Sequence, residues 1–195
     1  MHKVDIQLLG KEYDKLKKID KLNLTAIDIG DEAINRTNGW ADVITIVNQG
    51  NPANETGIIT SIEIWAHLNM SNVEVATFFV VSGNNLSTRD THTIGSVTAG
   101  SKQTFSGLNL SVQAGDYIGI SFSAGSIECD SSGSGNWNLA GDNIPCTDTT
   151  FTSLAGWHIS LYGTGATPAA GWPHKWNGIT IGKLNGAVIT KWNGI

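Results

Sequence analysis

Three groups of residues in this chain have the types and spacing to do chemistry. Asp28, Asp31 and Glu32 form a tight acidic group around Gly30, and several hard oxygen ligands at close spacing suit a calcium ion. The alternating ligand pattern of an EF-hand is missing. The same residues also read as a helix N-cap, with Asp28 or Asp31 accepting backbone N–H bonds from a DEAINR turn over Asp31–Arg36. A second group lies in the loop-rich stretch Ser126–Trp157, where Trp137 stands among Asp130 and Asp142. A flat indole with polar rims is what a sugar-binding platform needs. Against it stands a packing role, with Trp137 under its loop and Trp157 facing the core at the start of a last strand, WHISLYG. Third, Cys129 and Cys146 enclose a loop of seventeen residues. A disulfide there stabilises by about 3 kcal/mol on the chain-entropy model, in an oxidising setting. Two free buried thiols fit a reducing one equally well.

Catalytic motifs are missing. The sequence has no GxSxG, no HExxH, no P-loop and no GxGxxG after a strand. Its five histidines, His2, His67, His92, His158 and His174, share no motif, and none lies at zinc-ligand spacing from the two cysteines. A glycosidase needs two carboxylates at a set separation, which Asp116, Glu128, Asp130 and Asp142 could supply only through the fold. The expectation is a protein without enzymatic activity, and with no cofactor beyond the calcium reading.

The elements that must position these residues are strands. From Gly57 to Ser123 apolar residues recur at every second place, the mark of strands with one buried face. Ile58, Thr60, Ile62, Ile64 and Ala66 read as one row, and Ile59, Ser61, Glu63, Trp65 and His67 as the other. Ile118, Ile120 and Phe122 alternate with Tyr117, Gly119, Ser121 and Ser123 in the same way. HLNMSN (67–72), SGNNLSTRD (82–90), TAGSK (98–102) and SVQAGD (111–116) read as the turn-rich breaks. The pattern predicts an all-β body, a jelly-roll-like antiparallel β-sandwich over 25–163.

Charge divides the chain. Lys3, Lys11, Lys15, Lys17, Lys18 and Lys21 crowd the first 21 residues, and Lys175, Lys183 and Lys191 mark the tail. Between them Arg36, Arg89 and Lys102 face thirteen Asp and Glu, a balance of 3 − 13 = −10. So acidic a body offers no footprint for a phosphate backbone, which argues against nucleic acid. No apolar run reaches the roughly 18 residues of a membrane span, and MHKVDIQLLGKEYDK has no apolar core of a secretory signal. Residues 1–24 read as an arm with a short helix, in which Ile6, Leu9, Tyr13 and Leu16 stand at 3-4-3 spacing. That spacing fits either a solvated or cap helix or a narrow oligomerising seam.

IDIGDEAINR (Ile27–Arg36), NPANETGIITSIEIWA (Asn51–Ala66), VATFFVVSGNN (Val75–Asn85) and IGSVTAGSKQTFSGLNLSVQAGDYIGI (Ile94–Ile120) resemble a β-sandwich domain of phage and phage-like metagenomic proteins. Those proteins are virion-associated or uncharacterised. The resemblance spans most of the chain, from about Thr25 to Gly163. It implies a β-sandwich and a place on the virion surface or outside the cell. It carries no catalytic residues.

After a linker at 164–174, the tail repeats with a strict period of eight: KWNGITIG, KLNGAVIT, KWNGI. Lys175, Lys183 and Lys191 recur at one place, Trp176, Leu184 and Trp192 at the next, each followed by Asn-Gly. Asn-Gly between apolar residues is a strong signal for a type I′ hairpin turn. It predicts a β-meander with strands Ile179–Leu184 and Ala187–Trp192 over 175–195. Two or three such strands are marginal alone, so Trp176, Ile179, Ile181, Leu184, Ile189 and Trp192 need a surface to cover them. WNG repeats also resemble the tails of phage structural proteins. The expected function is a virion structural protein, a capsid decoration, head-fibre or tail-associated subunit, that oligomerises or binds other virion proteins through its arms. A carbohydrate-binding module taking a glycan, or an extracellular adhesive or filament subunit, is the alternative.

Overall fold

A computed structural model of the chain describes residues 25–167 and two short strands of the tail, Lys175–Trp176 and Ile179–Thr180. In chain order the strands of the main unit are β1 (Ala26–Gly30), β2 (Asn38–Trp40), β3 (Ile44–Asn48), β4 (Gly57–Ser82), β5 (Asn85–Val97), β6 (Lys102–Val112) and β7 (Tyr117–Phe122). They continue with β8 (Ala124–Asp130), β9 (Asn136–Ala140), β10 (Thr149–Thr150), β11 (Thr152–Leu154), β12 (His158–Ile159) and β13 (Leu161–Ala166). All pairings are antiparallel, and among the described residues there is no helix.

One strand holds the unit together. The first half of β4 lies between β6 and β13, with β1 outside β13. Its second half lies between β5 and β7, beyond which come β3, β9 and β11. Between the halves β4 pairs with β8, whose own partners are β2 and β12. The HLNMSN stretch, expected to end a strand, is therefore the corner of a 26-residue one. Register shifts between Leu68 and Ser71 and between Met70 and Val73, with a left-handed Asn72 (φ 51°), turn the chain there without breaking it. At the same corner a Cβ on Gly125 (φ 92°) would stand 2.2 Å from the Asn69 carbonyl oxygen, so β8 approaches that closely only through glycine.

The two halves carry β4 from one face of the core to the other. Ile27, Ile29, Ile59, Ile62, Ile64, Leu110 and Leu161 on one side pack with Ile46, Val73, Val75, Ile118, Ile120 and Phe122 on the other. Ile118, Ile120 and Phe122 point inward as the alternation predicted. In the first half of β4 the phase changes. Ile59 is buried with Ile62, Ile64 and Ala66, whereas Ile58 is half-exposed. Opposite β13, Ser61 pairs with Thr164 and Ile59 with Gly165, so Thr60 is an extra residue, and one extra residue exchanges the two faces.

A second, smaller core covers the outer face of β3, β4 and β7. Val47, Ala76 and Phe78 pack there with Leu86, Trp137, Ile144 and Phe151. Gly119 and Ser121, expected on a solvent face, are buried beneath it. A Cβ on Gly119 would lie 2.7 Å from the Phe78 ring.

The unit extends from Thr25 to Thr167. Thr164, Gly165 and Ala166, expected in the linker, close β13 against β1 and β4. Thr167 N donates to the Thr25 carbonyl (3.1 Å), and Thr25 N donates to Thr167 Oγ1 (3.2 Å). In the tail, β14 (Lys175–Trp176) pairs with β15 (Ile179–Thr180) as Lys175↔Thr180 and Trp176↔Ile179, on either side of Asn177 and Gly178. The expected N-terminal arm helix, and tail residues Ile181, Lys183, Leu184, Ile189, Lys191 and Trp192, lie outside the described residues.

Candidate functional site

Strand alternation builds the one dense group of charged side chains at this end of the unit. On β8, Glu128 and Asp130 flank the core residue Cys129, and on the neighbouring strand His158 and Ser160 flank Ile159. The ladder aligns His158 with Asp130 and Ile159 with Cys129, which brings the polar side chains to the same face. The irregular segment 31–37 lies over this face and inserts Arg36, whose side chain is only 5% exposed.

Arg36 uses each part of its guanidinium. Nε donates to Ser160 Oγ (2.9 Å), Nη2 to the Glu32 carbonyl (3.0 Å) and Nη1 to Asp130 Oδ2 (3.1 Å). Nη1 also stands 2.7 Å from Nε2 of His158, and that nitrogen is 2.7 Å from Asp130 Oδ1. A ring nitrogen that accepts from Arg36 cannot also donate to Asp130. The proton on His158 therefore selects which of the two contacts is a hydrogen bond. Gly133 closes the group from outside: a Cβ there would meet His158 Cγ at 2.3 Å.

Burial by itself would raise Asp130. Hydrogen bonds from the Ser132 hydroxyl (2.6 Å) and amide (2.9 Å) and from Arg36, joined by His158 when its Nε2 carries the proton, outweigh it and hold the carboxyl well below the ordinary range. Glu128 is buried beside it. One of its oxygens accepts from the Arg36 backbone N–H (3.0 Å), and the other is 2.9 Å from Nδ1 of the half-exposed His67. Cys129 is pushed up to about 11, first by burial and then by the charges of Glu128 and Asp130, with Arg36 opposing. Its thiol stays protonated and is a poor nucleophile.

The calcium group does not converge. Asp28 lies beside Tyr162, whose hydroxyl is raised by burial and then by the Asp28 charge, and Glu32 is exposed with only its carbonyl engaged by Arg36. Asp31 turns Oδ2 toward Nδ1 of His158 at 3.4 Å, outside hydrogen-bond geometry, and that oxygen is buried without a partner. The expected helical turn over 31–36 is also absent, because Arg36 holds the segment in an irregular path instead of Asp31 capping it. Ser132, His158 and Asp31 stand in the order of a nucleophile, base and orienting acid. They do not make its hydrogen bonds: Ser132 Oγ donates to Asp130 and is 3.5 Å from His158.

Of the two readings of Trp137, the sugar platform is taken apart as well. Trp137 is 8% exposed on β9, donates from Nε1 to Asn84 Oδ1 (3.0 Å) and meets Tyr117 edge to face. Its indole is a packing surface, as the loop-packing reading had it. Asp142 accepts from the Ile144 amide (3.1 Å) in the following loop, while Asp130 belongs to the Arg36 group. Cys129 lies in the main core and Cys146 against the second, and both are free, which is the second of the two readings the pair allowed. Single-residue reading missed Arg36, His67, His158 and Trp40. The one sequence signal for them was the pair of polar-apolar-polar triplets, Glu128-Cys129-Asp130 and His158-Ile159-Ser160.

Beside the charged group a cleft of about 390 Å³ opens between β2 and the residues before β12. Trp40 and Trp157 meet in it edge to face, with centroids 6.0 Å apart and planes at 74°. The chain matches no protein-family model, no curated protein and no solved structure.

Proposed function

We propose that the protein is a virion structural subunit without enzymatic activity, which presents its acidic β-unit and attaches or oligomerises through its terminal segments. The reading rests chiefly on the Thr25–Thr167 junction. There the first and last strands of the unit are hydrogen-bonded together, so both flanking segments join it at one point. Charge supports the same division: 3 − 13 = −10 in residues 25–167, against 9 − 4 = +5 in 1–24 and 168–195 together. The β14–β15 ladder around Asn177-Gly178 supports the reading of the tail as a repeating hairpin.

We read the sandwich as jelly-roll-like. In support, β1, β6, β13 and the first half of β4 pair with one another, while β3, β5, β7 and the second half of β4 form a second ladder that β9, β10 and β11 extend, so the chain crosses repeatedly between the two. In this reading Trp176 and Ile179, and their repeats in sequence, are covered on assembly. Lys175, Lys183 and Lys191 then face acidic surface on a neighbouring copy or another virion protein. Deleting Lys175–Ile195 is expected to convert an oligomer to monomer while the melt of the remaining chain stays cooperative. Multi-angle light scattering of the two forms side by side measures it. The same oligomeric state in both would refute attachment through the tail.

A further inference from the structure

We infer that the cleft lined by Trp40 and Trp157 binds a neutral pyranose ring of a glycan. The inference goes beyond the assembly role and does not depend on the arms. Trp40 and Trp157 are each half-buried, and each packs with part of its ring on the main core. Their edge-to-face contact fixes both side chains before any ligand arrives. Preorganised aromatic surface of this kind adds little ordering cost on binding. Leu154, 38% exposed, extends the apolar wall, and Cys129 lies at its base.

The polar groups stand on the rim. Asn38 uses its amide nitrogen toward Thr37 Oγ1 (3.1 Å), which leaves Oδ1 to accept. Asp42 is exposed and has no ion-pair partner among the described residues. Two acceptors beside a fixed indole match a sugar, whose C–H face lies on the ring while its hydroxyls donate outward. The volume, about 390 Å³, is at the small end of the range for small-ligand sites, roughly 300–1,000 Å³.

Charge and ring geometry decide between ligand classes. No Lys or Arg lines the cleft, and the unit carries −10, so anionic ligands find no counter-charge. A quaternary ammonium needs ring faces opened around it. Here Trp40 and Trp157 meet edge to face, which encloses no such cage, whereas a pyranose stacks on a single ring face. The protonated thiol of Cys129 offers neither thiolate nor metal ligand.

The test uses the full chain on an array of neutral oligosaccharides built from glucose, galactose, mannose and their N-acetylated forms. Retention of at least one class is expected, with a loss of about tenfold or more in Asp42→Ala and in Asn38→Ala. Both variants change rim residues only, and their melts should match the parent. Trp157→Ala would open the core and is a poor probe, so the rim variants carry the decision. Failure of every neutral glycan at millimolar concentration overturns the proposal. So does retention that neither rim variant weakens, or binding of a trimethylammonium ligand in place of sugars.

Discussion

Replacing Arg36 with Met removes a charge from the buried group and keeps most of the side-chain volume. The guanidinium is 5% exposed and holds Asp130, Ser160 and the Glu32 carbonyl, with His158 at 2.7 Å. Losing one partner of a buried ion pair costs about 3–5 kcal/mol, because the other charge is left in a poor solvent. The Asp130 side chain is 21% exposed, so water offsets part of that penalty and the low end applies, about 3 kcal/mol. For a unit of this size 1 kcal/mol moves the melting temperature by about 2–4 °C or slightly more, so a fall of roughly 10 °C is expected. Scanning calorimetry of Arg36→Met measures it, and adding Asp130→Asn completes a double-mutant cycle. The double variant should recover part of the loss, since no charge is then stranded. The backbone N–H of Arg36 still reaches Glu128 in every variant, so the cycle isolates the guanidinium. A loss below about 1 kcal/mol, the range of exposed pairs, would refute the buried network as a source of stability.

Two further outcomes follow from the same group. The folded-state carboxyl of Asp130 lies below its unfolded value of about 3.9, so its contribution is complete above that pH and is lost as pH falls through the folded value. Asp130→Asn should therefore lower the urea midpoint at pH 7 and flatten the acid limb below about pH 4; parallel curves for parent and variant would sink the assignment. Gly133→Ala should displace His158, because the added carbon falls 2.3 Å from His158 Cγ and 2.5 Å from its Cβ. The expected cost is about 1–3 kcal/mol, read in a denaturant melt, and an unchanged midpoint would show that the glycine is not the cover of the ring.

Much of the sheet structure was legible because burial on one side writes a period of two. Ile118, Ile120 and Phe122 kept that period, and so did Ile62, Ile64 and Ala66. The error at Ile58 and Ile59 has a local cause. Thr60 is one residue too many against β13, and a polar residue among alternating polar residues gives no sign that the count has slipped. The corner at 67–72 was misread for the opposite reason. Asn and Ser there looked like a turn, and they do bend the chain, yet pairing with β8 continues across them. Gly119 and Ser121 were misplaced because a later segment, around Trp137, Ile144 and Phe151, covers the face they share. Such cover is a long-range event, and no local window contains it.

The site was less legible still, since its parts come from β4, the segment before β2, β8 and β12. What sequence did show was the acidic surplus, and the ion pairs give it a sharper meaning. Each of the three cations of residues 25–167 already faces a carboxylate: Arg36 with Asp130, Arg89 with Asp116, and Lys102 with Glu63. Arg89 is held in addition by a forked contact to Asp116 and by the Phe79 ring, 4.9 Å away. None of the three is therefore available to attract an external anion without breaking an internal pair. Ten carboxylates remain outside any Lys or Arg ion pair among the described residues, and at physiological salt their field reaches about 8 Å from the surface. A polyanion approaching the unit meets repulsion from every charge that internal pairing has not already consumed. The other nine of the twelve Lys and Arg lie in the sequence outside residues 25–167, so positive charge for any acidic partner would have to come from those segments.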